Sequence, residues 1–575
     1  MNLKNLTKKL AKQLFEYKPE ESYDFSINNN KDNKNQSIQL ADNTVKYEKD
    51  RKNQTIYTSL TINKENIQSI FNTLINSDII IRDFILNARG KQYSAFLLYI
   101  DGMVNVNAIN DFVLESLMLR NKANTYDGKE ERIIHETTTN NITVRKIKKF
   151  DLSEYIYNSL IPENSVKKCT KFEDIISGVN SGNCALFIDT INIAFDIDVK
   201  GFNQRSIEAP NNEVIIKGSQ ESFVENIRTN TSQIRRVINN ENLIIENLTV
   251  GEISKTKCAI CYMQNITNED LVSEVKFRIN NLSIDTLLSS GQLEQLIEDN
   301  SRFGIPQILS TERPDKCAKH LMQGRVVVLV NGTPYGLIMP ATFVDYMSSP
   351  EDTNIKPIFS NFLKLLRFIA LIITLLLPGG YVAITSFHQE ILPTELLFSI
   401  LAARQYVPFP IIVEIVTMEL SFELIREAGL RVPSPVGPTI GIVGALILGE
   451  AAVNANIVSP ILIIVVAITA ISSFAIPDYS FSFHVRIYRF FFIVLGFMAG
   501  FLGLGFGIFA YILIMCSLKS FGVPYTVPYV PSSSTRGHGY LVSPIWKQDT
   551  RADYLGPKKE KSQDKISMKW KYENK

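Results

Sequence analysis

Phe368-Ile-Ala-Leu-Ile-Ile-Thr-Leu-Leu-Leu-Pro378-Gly-Gly-Tyr-Val-Ala-Ile-Thr-Ser-Phe387 is a run of 20 residues without a single charge. About 20 such residues cross a hydrocarbon core of roughly 30 Å. The run follows a break in composition near Leu365. The sequence before the break is rich in lysine and asparagine, whereas Phe368 to Leu518 contains no lysine. The chain therefore reads as an α/β N-terminal soluble region followed by an all-α polytopic membrane domain, and any function has to link the two.

The net charge of +2 hides an uneven distribution. The tail after Val530 carries ten lysines and arginines against five acidic residues, and Lys364 and Arg367 flank the first apolar run. Basic residues near membrane ends favour the cytoplasmic side, so both termini are expected inside and the number of crossings even. Spans are expected near 368–387, 439–458, 461–476 and 487–518. Pro460 separates the second from the third by a tight turn. Between the first and second lies 392–431, apolar but interrupted by charges and broken at Pro408 and Pro410, which reads as a re-entrant or interfacial element. No sustained apolar core at the start suggests a cleavable signal. Six cysteines in a chain of 575 residues with a cytoplasmic domain read as free thiols.

The soluble part divides into a polar arm over 1–50 and two α/β subdomains, 51–205 and 206–355. The arm is too poor in apolar residues to offset its ordering entropy. In the first subdomain Ser94–Ile100 and Ala185–Asp189 read as strands, with a helix over Phe172–Val179 and a further strand over Ile193–Val199. The same order recurs later: strand Cys258–Tyr262, helices Glu269–Ile284 and Pro314–Leu321, then Arg325–Val330, the turn Asn331-Gly332 and Tyr335–Met339. Asn-Gly between apolar runs is a strong hairpin signal. The recurrence suggests two related subdomains. The membrane domain covers 365–520 and a basic cytoplasmic tail 521–575.

The charged element is the best place to look for function. On a helix Glu419 and Glu423, Glu423 and Arg426, and Glu427 and Arg431 share faces. Together with Glu414 they either line an ion or substrate pathway or belong to an amphipathic surface helix with its charges in water. Glu450, with Asn454 four residues on, stands among apolar residues and needs water or a partner. Gly441, Ala445 and Gly449, Gly496 with Gly500, and Gly503 with Gly507 form small-residue seams that let helices pack closely. Cys258 and Cys261 are three apart in a strand and point to opposite faces, so a redox or zinc pair is not expected. The five histidines are scattered, no nucleophile and base come together, and no metal, cofactor, catalysis or nucleic-acid partner is expected.

Phe303-Gly-Ile-Pro-Gln307, Thr311-Glu-Arg-Pro-Asp315, Gly324-Arg-Val-Val-Val-Leu-Val330, Gln405-Tyr-Val-Pro-Phe-Pro410, Phe422-Glu-Leu-Ile-Arg-Glu427 and Ser520-Phe-Gly-Val-Pro-Tyr525 together resemble the A subunit of GerA-type spore germinant receptors. The resemblance covers about 90 to 530. It implies a complex with B and C subunits in the spore inner membrane, an oligomer of A subunits forming an ion pathway, and nutrient-triggered ion release. A secondary transporter of a nutrient or ion is the alternative, disfavoured because the repeat lies in the soluble half rather than the membrane half.

Overall fold

The computed structural model describes residues 27, 53–88, 91–118, 151–162, 165–201, 210, 212–431, 449–533 and 539–563. The arm apart from Ile27, the expected span before 449 with Gly441 and Ala445, and the end of the tail lie outside the described residues.

The first subdomain runs α1 (Leu60–Phe71), β1 (Ile79–Ala88), β2 (Lys91–Ile100), a helical stretch from Val106 to Met118, then β3 (Val166–Cys169), α2 (Phe172–Asn180), β4 (Cys184–Ile188) and β5 (Ala194–Ile197). The second runs α3 (Ile227–Val237), β6 (Leu243–Val250), β7 (Thr256–Met263), α4 (Glu269–Asn280), α5 (Ser290–Ile297), β8 (Leu309–Thr311), α6 (Pro314–Met322), β9 (Val326–Val330) and β10 (Gly336–Met339). Their sheets are ordered β1-β2-β4-β5-β3 and β6-β7-β9-β10-β8. Every pairing in both is antiparallel. Shifting the first order by five strands gives the second, so the recurrence in the sequence is a repeat of topology. β4 and β9 are buried along their whole length, which is why both read as unbroken apolar runs. Pro314 opens α6, where its missing N–H costs little.

Cys258 packs in one apolar cluster and Cys261 in another, on opposite faces of the second sheet. Burial pushes both thiols up to about 12. They are core residues.

The two subdomains are joined by a buried ion pair. Arg235 on α3 donates to both carboxylate oxygens of Asp78 at 2.7 and 2.8 Å and to the Asn76 side-chain oxygen at 3.1 Å. Nearby the Ser77 amide donates to the Ile245 carbonyl at 3.0 Å. Arg235→Ala strands the Asp78 carboxylate in the interior and is expected to cost about 3–5 kcal/mol. Thermal or urea unfolding of the full chain checks this; a change below about 1 kcal/mol would show the pair to be dispensable.

The membrane part contains α7 (Pro357–Phe387), α8 (Thr394–Arg404), α9 (Ile411–Arg431), helical residues at 449–454, α10 (Pro460–Phe474) and α11 (Tyr479–Ser517). Among the described residues α7, with 31 residues, and α11, with 39, are long and apolar enough to cross a membrane. α10 has 15 residues, so the run expected to span at 461–476 is a shorter helix, about 22 Å long. The charged element is two helices separated at Gln405–Pro410, where Pro408 and Pro410 stand. α11 is kinked at Ala499–Gly500, and Gly500 takes φ +57°, a value open to glycine.

α7 and α11 cross with their backbones in contact. A Cβ built at Gly379 would lie 2.6 Å from the Phe492 carbonyl oxygen, and one at Gly496 would lie 2.5 Å from the Gly379 carbonyl oxygen. Only glycine leaves room for this approach.

Candidate functional site

The charged residues singled out in the sequence fall into three settings. Glu414, near the start of α9, is buried; Arg404 at the end of α8 donates to it at 2.8 Å, and the Ser459 amide donates at 3.3 Å. One turn or more further along, Glu419 is fully buried with Arg489 of α11 at 2.9 Å. Glu423 accepts from Arg486 at 2.9 Å, from Arg489 at 3.0 Å and from Arg426 at 3.4 Å. Arg426 also donates to Ser473 at the end of α10, at 2.8 Å, and its guanidinium lies 4.5 Å over the Phe474 ring. Two carboxylates and three guanidiniums thus tie α9, α10 and α11 together. With all five side chains ionised the group carries one excess positive charge.

Glu427 forms an exposed pair with Arg431 at 2.7 Å. Such a pair contributes little. Glu450 and Asn454 are different again: both are exposed in the helical residues 449–454, and no described residue pairs with Glu450. Four residues apart, they present one face away from the body of this chain. Of the small-residue seams, Gly503 faces the Leu495 carbonyl within its own bent helix, and Gly507 faces the Leu495 and Phe492 side chains. A Cβ built at Gly449 lies 4.0 Å from the Ile463 side chain, the nearest atom among the described residues.

Arg486 and Arg489 are members of this charged group that the sequence reading left out. They stand three apart inside an apolar helix, and placing the start of the last span at Ile487 separated them. Two arginines one turn apart beside Phe490-Phe491-Phe492 were the available signal, since charges at that depth need partners.

The soluble region reaches the same helix. Phe481 of α11 packs against Tyr346 with ring centroids 5.8 Å apart and against Phe343 at 5.6 Å, and Tyr346 in turn meets Tyr525 at 5.9 Å. Tyr488 of α11 donates to the Phe303 carbonyl at 3.2 Å. Beyond the last span, Ser520 donates to the Gln307 carbonyl at 2.6 Å and accepts from the Ala341 amide at 3.0 Å. The segments 303–307 and 520–525, 200 residues apart in sequence, therefore meet at the junction of sheet and membrane helices. The tail folds back over the start of α7 and the second subdomain as well: Lys364 of α7 donates to the Tyr540 carbonyl at 2.9 Å and Arg551 to the Met322 carbonyl at 2.8 Å. Arg325 holds Asp345 bidentately at 2.7 and 3.0 Å. Burial alone would raise the Asp345 carboxyl, but Arg325 and His320 outweigh it and hold it well below the usual carboxylate range.

A cavity of about 260 Å³ at this junction is lined by Glu294, Glu298 and Gly304–Pro306 on one side and Tyr479, Ser480 and Phe483 of α11 on the other. Burial, and then the neighbouring Glu298, push Glu294 up to about 8; burial, and then Asp299, push Glu298 up to about 7. A carboxyl whose folded pKa is raised contributes stability below its unfolded pKa of about 4.3 and loses it as pH rises through the folded value. The thermal midpoint of the full chain is expected to fall between pH 5 and 8.5, and Glu294→Gln to flatten that dependence. Identical pH profiles for wild type and Glu294→Gln would refute the assignment. Among the described residues no group of three or more His, Cys, Asp or Glu side chains is placed to hold a metal ion.

Comparison with known proteins bears on the whole of this arrangement. The sequence profile described as Bacillus/Clostridium GerA spore germination protein matches residues 65–554. Spore germination protein KA of Bacillus subtilis is 38% identical over 491 residues, covering 85% of each chain. Spore germination protein GerLA of Bacillus cereus is 40% identical over 367 residues, 64% of this chain and 75% of that one. Among solved structures, the N-terminal domain of the A subunit of the Bacillus megaterium spore germinant receptor GerK3 matches at 30% identity, covering 50% of this chain and 98% of that one, with a TM-score of 0.36.

Proposed function

Since the chain belongs to the GerA family of spore germination proteins, we propose that it is the A subunit of a nutrient germinant receptor, a non-enzymatic protein that couples germinant sensing to ion release. It works in the spore inner membrane with B and C subunits, as an oligomer of A subunits whose membrane domains surround an ion pathway, with both termini on the cytoplasmic side. The observation that carries this reading is the outward face of Glu450 and Asn454. A carboxylate among apolar residues that its own chain leaves exposed is costly in a bilayer unless water or a neighbouring subunit meets it. A pathway formed between copies supplies that water. Glu414, Glu419, Glu423 and Arg426, by contrast, are held by partners within the chain and serve as the fixed frame against which the pathway moves.

The soluble half has a direct route to that frame. Phe481, Arg486, Tyr488 and Arg489 lie on one continuous helix, the first and third touching the second subdomain and the other two gripping α9. A shift of the second subdomain can therefore displace the arginines. In spores carrying this chain as their A subunit, Glu450→Gln is expected to slow nutrient-triggered ion release at unchanged protein level. Unchanged germination kinetics at matched level would count against the reading.

A further inference from the structure

At its start α7 hides its charges and shows its apolar side chains. Arg367 donates to both carboxylate oxygens of Asp352 at 2.8 and 2.7 Å, and Lys364 donates to the Ser348 hydroxyl at 3.0 Å and the Tyr540 carbonyl at 2.9 Å. Ile358, Phe359 and Phe362 are 80%, 61% and 61% exposed. A helix facing water shows the opposite arrangement.

Two other segments bring apolar side chains to the same place. The strap 213–219 is held at both ends by Arg313, which donates to the Glu213 carbonyl at 3.1 Å and to the Ser219 carbonyl at 2.7 Å. Asn354, just before α7, donates to the Lys217 carbonyl at 2.8 Å. Within the strap Ile215 is buried, while Val214 and Ile216 stand exposed. The returning tail is fastened to α7 itself: Asn361 donates to the Val542 carbonyl at 3.2 Å and accepts from the Val542 amide at 2.7 Å. On either side of that clasp Leu541, Ile545 and Trp546 are exposed.

Neither the strap nor the tail is part of a span, so their exposed apolar groups need a cover of their own. The length of α7 indicates which. At about 1.5 Å per residue its 31 residues run about 46 Å. A hydrocarbon core takes roughly 30 Å, and a bilayer with its headgroup layers roughly 40–45 Å. The turns before Phe368 therefore lie at headgroup depth, and the strap and the tail are tied to those turns. Lys217, Lys356 and Lys547 are exposed in the three stretches, and 214–217, 356–369 and 541–547 contain no acidic residue. Aromatic rings with lysines beside them suit the boundary of an anionic leaflet. A second copy meeting this face with its own would set lysine against lysine.

We propose that the strap at Val214–Ile216 and the tail at Leu541–Trp546 are seated in the headgroup layer of an anionic phospholipid leaflet. With the start of α7 they form a collar that fixes the second subdomain against the membrane. The collar rests on α7 crossing the bilayer and is independent of the ion pathway.

The chain has two tryptophans, Trp546 and Trp570, so Trp570→Phe leaves Trp546 alone. Its fluorescence is read with the full-length chain in nanodiscs of phosphatidylcholine, with or without phosphatidylglycerol, brominated either high or low on the acyl chains. Bromine near the headgroups is expected to quench Trp546 at least about twofold more than bromine at the bilayer centre, as for a group seated about 5–10 Å into the boundary. Moving the tryptophan to the strap, with Ile216→Trp and Trp546→Phe in the same background, is expected to give the same order. Phosphatidylglycerol should strengthen the quenching at low salt, and a triple variant with Lys217→Gln, Lys356→Gln and Lys547→Gln should lose that dependence. Equal fluorescence in brominated and plain lipid, in a chain that has entered the nanodiscs, would overturn the collar while leaving the span intact. A blue shift that follows the number of copies per disc and ignores bromine would assign the face to a second copy and overturn it too. So would quenching indifferent to phosphatidylglycerol.

Discussion

Arg489→Leu is expected to remove most of the folded chain from the membrane. The guanidinium is fully buried and lies 2.9 Å from Glu419 and 3.0 Å from Glu423. Its loss leaves Glu419 fully buried with no cation beside it, and breaking one side of a buried pair costs about 3–5 kcal/mol. That is a large part of the stability of most folded domains, about 5–15 kcal/mol. The same reasoning predicts a rescue. Glu419→Leu combined with Arg489→Leu removes both charges, and an apolar replacement of a buried pair is often neutral. Glu423 keeps Arg486 and Arg426 in that double variant. Membrane level and thermal midpoint in nanodiscs check both statements. A single variant as stable as wild type, or a double variant no better than the single, would show that Arg489 does not hold Glu419 in place.

Gly496→Val has the second large expected effect. The new side chain would start 2.5 Å from the Gly379 carbonyl oxygen, which belongs to the backbone of α7 and cannot rotate aside. Overpacking typically costs about 1–3 kcal/mol where side chains can adjust. Here two helix axes have to separate, so the upper end of that range or more is expected. Gly505 provides the control, since a Cβ there meets nothing within 4 Å among the described residues, and Gly505→Ala should be neutral. Gly507→Ala should be intermediate, because the nearest atom is a methyl of the Leu495 side chain. Thermal unfolding of the three variants checks the order, and equal midpoints would refute the close crossing.

Much of the fold was legible because apolar runs in strands and spans are strong signals. β4, β7 and β9 read directly from Ala185–Ile188, Cys258–Tyr262 and Val326–Val330. The recurrence of strand and helix order suggested a duplication, but the shared strand order could not be read, since β2 pairs with β4 across a long insertion. The edge strands β1, β3, β6 and β8 were missed. Edge strands alternate with polar residues, as in Arg82-Asp83 of β1, and so lack the unbroken apolar run of a central strand.

The candidate site was legible in part. Intramembrane charges mark themselves in any apolar stretch, and that picked out Glu414, Glu419, Glu423, Arg426 and Glu450. Which of them pair inside the chain depends on how α9, α10 and α11 meet, and Arg486 and Arg489 complete the pairs of Glu423 and Glu419 from a helix more than 60 residues on. Over the run expected to span at 461–476, α10 covers Pro460–Phe474 and ends before the turn into α11. The break near Leu365 is sharper in three dimensions than in sequence: the second subdomain, the start of α11 and the returning tail meet on its soluble side.

The central claim is that the exposed face of Glu450 borders the route by which ions leave. It is tested most directly by cation efflux from liposomes carrying the full-length chain with its receptor partners, with wild type compared with Glu450→Gln and Glu450→Lys at equal protein content. Nutrient-triggered efflux that falls in Glu450→Gln, and falls further or reverses its preference for cations in Glu450→Lys, is the predicted result. Efflux of the same size and selectivity in all three would contradict it.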